Sequence, residues 1–295
     1  MVRPVLSKGV AVTRVVRPAE RLISNSPWAE GPAFDRHGNL HFVNWGASAI
    51  MRLTPDGELS EVFNTGGIPA GLAFAPDGAL WIADEGDNIH GLLRVDLDVG
   101  TSEIIANSFE GEPLNGANDL VFGADGTVYF SDPWRSSLEN PVGGFYRLLP
   151  NGDLDRIDAG LAFPNGVAID PSGSYVYLAE TQRNRILRYA IKSDGSMGEL
   201  EHWADTPTPP GPDGMAFAAN GELFSARFNG WGVDVYGVDG SLLEHIDIPG
   251  AKTTNCCFGG PENKTLYVTD VDTEALYTVE LSVAGLALND GRNRA

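Results

Sequence analysis

Four residues with oxygen-bearing side chains recur at one offset in this chain. Glu30, Asn118, Asn165 and Asp213 each stand four residues before an apolar anchor: Phe34, Phe122, Ile169 and Phe217. Two further anchors, Phe74 and Phe258, have Ala70 and Thr254 at the same offset. Two carboxylates and two amide oxygens make a hard donor set, suited to calcium or magnesium rather than to metals that prefer thiolates. Taken singly, Glu30 reads as a solvated strand cap, Asn118 and Asn165 as backbone-capping amides, and Asp213 in GPDG as a turn aspartate. The shared offset is what points to a shared cation. Gly31, Gly166 and Gly214 follow three of the four and permit close backbone approach. Asp119 follows Asn118 and has three readings: it orients Asn118, meets a metal-bound water, or bonds the backbone.

The offset has meaning only if the anchors occupy equivalent positions. GPAFDRHGNLHFVN, GLAFAPDGALWIAD, DLVFGADGTVYFSD, GVAIDPSGSYVYLAE, GMAFAANGELFSA and the variant CCFGGPENKTLYVTD each read as strand, polar turn and strand. Their anchors lie 40, 48, 47, 48 and 41 residues apart. Further strand pairs, such as AIMRLTPDGELSEVF and GGFYRLLPNGDLDRI, fill the intervals. Four strands per interval make a propeller blade. A two-sheet sandwich would explain alternating strands but not six similarly spaced copies. The expected architecture is therefore an all-β, six-bladed β-propeller of four-stranded antiparallel blades, one domain over residues 1–295. Equal offsets on its innermost strands would gather the candidate ligands at one end of the central channel. The last blade lacks an outer strand after ALYTVEL, and GVAVTRVV near the N-terminus is expected to supply it, removing two exposed sheet edges.

Composition narrows the partners. Twenty basic and 40 acidic residues give a formal charge of -20, which disfavours nonspecific nucleic-acid binding and anionic membranes. The 36 glycines and 19 prolines suit tight turns rather than long helices. Cys256 and Cys257 are adjacent, poorly placed for an ordinary disulfide and outside any zinc pattern, and read as small buried side chains. The first ten residues lack a secretory apolar core and no later stretch is an apolar 20-residue span, so the default expectation is cytoplasmic, with no membrane, nucleic-acid or obligate protein partner. No G-x-S-x-G elbow, HExxH helix or dinucleotide fingerprint occurs, and His37 and His41 fall across a predicted hairpin.

In order, WAEGPAFD, LNGANDLVFGADGTVYFSDP, FPNGVAIDPSGSYVYLAETQRNRILRY and GPDGMAFAANGELF closely resemble the SMP-30/gluconolactonase/LRE-like family of six-bladed propellers. The likeness extends to TNCCFGGPENKTLYVTD. It implies a divalent metal in the channel held by Glu30, Asn165 and Asp213, with Asn118 contacting metal or substrate. It also implies hydrolysis of sugar lactones or, on a closely similar propeller, of organophosphates. One departure stands out. Some animal sugar lactonases carry an arginine two residues before the asparagine matching Asn118, and here that residue is Gly116.

The resulting expectation is hydrolysis of a small-molecule lactone to its hydroxy acid, with one divalent cation polarising the ester carbonyl. Calcium is the first choice, with magnesium, manganese, zinc or iron as alternatives. Asp213 is the expected base, largely on the resemblance; cation-activated water is the other route. Loops over the channel mouth would supply Trp45, Trp134, Phe228 and Trp231 as walls, with Asn184 and Arg227 to bind substrate oxygens. Two other functions fit the same residues: phosphoester or phosphofluoridate hydrolysis, and a non-catalytic, calcium-stabilised binding propeller.

Overall fold

Each recurring hairpin folds as the inner two strands of a blade. In the first four blades its polar turn is closed by an aspartate, and in the fifth by Asn220, whose side chain accepts from the backbone beyond it. Asp35 Oδ1 takes the amides of His37 and Asn39, both at 2.9 Å, and Asp77 takes that of Ala79 at 3.0 Å. These are Asx turns, the reason an aspartate followed within three residues by glycine recurs between the strands.

The computed structural model describes residues 13–14, 17–208 and 211–288. Blade 1 runs Ala29–Phe34, Leu40–Asn44, Ala49–Leu53 and Leu59–Asn64; blade 2 runs Pro69–Phe74, Leu80–Asp84, Gly91–Asp96 and Thr101–Ala106. Blade 3 holds Leu120–Phe122, Val128–Asp132, Gly143–Leu148 and Leu154–Leu161, and blade 4 Pro164–Ile169, Tyr175–Glu180, Arg185–Ile191 and Met197–Asp205. Blade 5 starts with Pro212–Phe217, Leu223–Arg227, Gly232–Tyr236 and Leu242–Asp247. Blade 6 has Thr253–Gly259, Thr265–Asp270 and Ala275–Glu280, completed by Glu20–Ser24. The innermost strands touch in sequence order around a ring, with blade 6 returning to blade 1. The protein is an all-β, six-bladed propeller.

Six apolar clusters hold it together, one at each junction between neighbouring blades. Val43 and Ile50 of blade 1, for example, pack on Leu72, Phe74 and Ile82 of blade 2. A blade is thus buried on both faces, which accounts for inner strands with little polar alternation. Among the described residues, no helix is long and apolar enough to cross a membrane.

An N-terminal strand closes the ring as expected, but a later segment supplies it. Glu20–Ser24, not GVAVTRVV, pairs antiparallel with Ala275–Glu280. Of GVAVTRVV, Thr13–Arg14 adds a fifth strand to blade 5, parallel to Leu242–Asp247; the rest lies outside the described residues. An outermost strand has one free edge and mostly exposed side chains, so a polar segment suffices. In ERLIS only Ile23 is buried, in the cluster with Phe34, Phe42 and Leu276.

Candidate active site

The inner strands share an irregularity at their N-terminal ends. Register slips between Glu30 and Ala33, Pro69 and Leu72, Pro164 and Val167, Pro212 and Met215, and Thr253 and Asn255. In blade 3 the regular pairing begins only at Leu120. Such bulges re-aim side chains that a regular strand would leave between the blades. At each of the six lies the residue of the recurring offset. Glu30, Ala70, Asn118, Asn165, Asp213 and Thr254 consequently line a single cavity of about 690 Å³ at one end of the channel. Ala70 offers no donor, and the Thr254 hydroxyl donates to the Ala29 carbonyl at 2.9 Å, tying blade 6 to blade 1.

The glycines after these residues let the inner strands approach. Gly31 has φ +46°, and a Cβ there would collide with the Ala70 carbonyl oxygen; at Gly166 it would collide with that of Asp213. Blade 3 has Asp119 instead. Its Oδ2 accepts from Val167 N of blade 4 and its Oδ1 from Leu120 N, both at 2.9 Å. Asp119 therefore bonds backbone across a blade junction. It lines the channel interior, not the cavity containing Asn118.

The cavity is electrostatically strained. Burial, then repulsion from Asp213, pushes the Glu30 carboxyl well above its ordinary range. Burial, then Asp119 and Glu85, does the same to Asp213, to which the Asn165 amide hydrogen-bonds. Burial pushes Glu85 up to about 8 and Asp119 up to about 7. A divalent cation would offset this repulsion, and two carboxylates with two amide oxygens suit a hard one. Among the described residues no three His, Cys, Asp or Glu side chains gather as a metal cluster, so a cation here depends on amides as much as on carboxylates.

Sequence reasoning missed Glu85, which lines the same cavity. The route to it is a second recurring position. The second strands end at Asn44, Asp84, Asp132, Glu180, Arg227 and Asp270. Most of these side chains accept from the segment leading into the inner strand or from the turn beyond. Asp84 Oδ1 takes Ile68 N at 2.8 Å, Asp132 Oδ1 takes Gly116 N at 2.6 Å, and Glu180 Oε1 takes Ala162 N at 2.7 Å. The next residue then faces the cavity in four blades, as Trp45, Glu85, Thr181 and Phe228. The acids closing WIAD, YFSD, YLAE and YVTD were the legible signal.

Aromatic side chains form the walls. Trp45, Trp134 and Phe228 line the cavity together with Asn184, and they are joined by Trp28, Leu138 and Phe163. Trp28 and Trp45 are tilted at 34° with centroids 5.2 Å apart. Arg227 and Trp231 do not line it. Arg227 takes the buried strand-end position in blade 5, packs beneath Gly230 and lies 3.7 Å from Asp234, which contacts His245 at 2.6 Å. Trp231 is 39% exposed on the adjoining turn.

Comparison with known proteins agrees with this arrangement of blades. The chain is 31% identical over 291 residues to a gluconolactonase of Zymomonas mobilis, covering 88% of this chain and 80% of that one. It is 28% identical to the diisopropyl-fluorophosphatase of Loligo vulgaris, covering 88% and 91%. A solved gluconolactonase structure from Xanthomonas campestris superposes with a TM-score of 0.79 at 27% identity, covering 90% and 89%. The sequence profile of the SMP-30/Gluconolactonase/LRE-like region matches residues 28–272. With that match across most of the propeller, the chain belongs to the SMP-30/gluconolactonase/LRE-like family.

Proposed function

We propose that this protein is a divalent-metal-dependent lactonase. The observation that carries the reading is the convergence of Glu30, Asn118, Asn165 and Asp213 on one aromatic-walled cavity. Two gluconolactonases among its relatives support a lactone over other esters. The four residues would hold the cation, with calcium the best match to their oxygens. When bound, the cation supplies Lewis acidity toward the carbonyl oxygen of the ester.

The chain's own residues do the rest. Asp213 accepts, at a carboxylate oxygen, the proton of the water that attacks the carbonyl, and Asn165 holds that carboxylate in place. Trp28 and Trp45 offer an apolar face to the lactone ring, while Trp134 and Phe228 restrict water at the reacting carbon. Attack opens the ring, and Asp213 returns the proton to the departing ester oxygen, which becomes the hydroxyl of the hydroxy acid.

The likeness to a fluorophosphatase over 91% of its length keeps one second reading alive: hydrolysis at phosphorus by the same cavity. A panel of aldonolactones, aliphatic lactones and organophosphates, with calcium restored after chelation, separates the two by acid or fluoride release. Lactone turnover is expected, and Asp213→Asn should lower kcat/KM by at least about 100-fold. Failure of every lactone to open would overturn the proposal, and turnover of the phosphorus esters alone would establish the second reading.

A further inference from the structure

Blade 2 has Ala70 at the recurring inner-strand position and offers no ligand from it. It reaches the cavity one strand further out, through Glu85. This residue is 4% exposed, and its amide donates to the Ile68 carbonyl at 2.8 Å. Its Oε1 accepts a hydrogen bond from Asn118 Nδ2 at 2.8 Å. The seat exists because residue 116 is glycine: a Cβ there would lie 2.9 Å from both Glu85 Cα and its carbonyl oxygen, and 2.8 Å from Trp134 Cβ.

We infer that Glu85 is a positioning residue that holds the Asn118 amide nitrogen toward blade 2 and so presents Asn118 Oδ1 as the ligating atom. The inference rests on the cation site proposed above. The two ends of a primary amide are nearly equal in shape and opposite in hydrogen-bonding sense. Without a partner, Asn118 would turn its NH₂ toward the cation part of the time, replacing attraction with repulsion. With the cation bound beside it Glu85 is held as a carboxylate, which accepts and does not donate, and that removes the degeneracy. A carboxylate at residue 118 would need no such help, because both of its ends are oxygen.

That last point supplies the test. Calcium is titrated calorimetrically into chelator-treated full-length protein for the parent, Glu85→Ala, and Glu85→Ala combined with Asn118→Asp. Glu85→Ala should weaken calcium binding about 10–100-fold, the usual effect of losing a residue that orients a ligand. Its metal-free melting transition is measured alongside, and a cooperative transition shows that the lost affinity belongs to the site rather than to the fold. The double variant should recover most of the lost affinity. Parental affinity in Glu85→Ala overturns the inference, as does a double variant no better than the single one. If Glu85→Ala does not fold, Glu85→Gln keeps the volume but accepts from or donates to Asn118 equally well. It should bind several-fold more weakly, and unchanged affinity there overturns the inference. A parent that takes up no calcium, magnesium or manganese overturns the cation reading itself, and this inference with it.

Discussion

At Gly166 the backbones of blades 4 and 5 come too close for any side chain. Gly166→Ala should therefore cost at least about 2 kcal/mol, the scale of an overpacked core, and because the strain falls on Asp213 it should also reduce activity. Urea denaturation and kcat/KM, measured together, check both effects. His41 gives a pH prediction. It is buried against Phe74, and burial lowers its pKa to about 4 from the ordinary 6.5. The unfolded chain binds this proton below pH 6.5, while the folded protein resists it until near pH 4. Stability is thus lost as the pH falls through that window. Relative to His41→Gln, the parent should lose up to about 3 kcal/mol between pH 7 and pH 4. Equal pH profiles for the two proteins would refute this. The candidate ligands were legible in the sequence because one offset repeats through all six blades. Glu85 was not, because it comes from the neighbouring strand and lies next to an acid with a structural duty. Arg227 shows the opposite problem: its sequence position resembles that of cavity residues, and only the register shows that its side chain is enclosed by blade 5.

Among the strands, Glu20–Ser24 has the most consequence for its length. Its one buried residue, Ile23, joins blade 6 to blade 1 through Leu276 and Phe34. Ile23→Ala should cost roughly 2–4 kcal/mol, more than an isolated edge strand would suggest, because the loss falls on the seam of the ring. A chemical-denaturation midpoint unchanged from the parent would show that the seam is held elsewhere. The number of blades followed from the anchor spacing, since each hairpin carries its own turn chemistry. The closing strand did not. GVAVTRVV has the stronger β-branched signature, yet a strand at the rim is selected by what it pairs with rather than by its own apolarity.

On the scale of the whole molecule, stability is shared among six similar apolar junctions, while the charged residues of interest are concentrated at one end of the axis. A ligand that binds only the closed ring should stabilise all of it together. Calcium at about 100 times its dissociation constant should add roughly 2.7 kcal/mol, or on the order of 5 °C in Tm, and a chelator should remove the gain. Calorimetry with and without the ion measures it, and identical melting curves would count against a cation at the channel mouth.

The path of the chain around the ring has a consequence for the order of events during synthesis. Glu30 lies in the first blade and Asp213 in the fifth, and the way round from one to the other is completed by the sixth blade and its borrowed outer strand. The two buried carboxylates are therefore held in register only after Ala275–Glu280 has met Glu20–Ser24. A ribosome-bound chain carrying five finished blades would have every candidate ligand and no site. Affinity for the ion should arrive in a single step, with release of the last strand, making the ion a reporter of complete molecules.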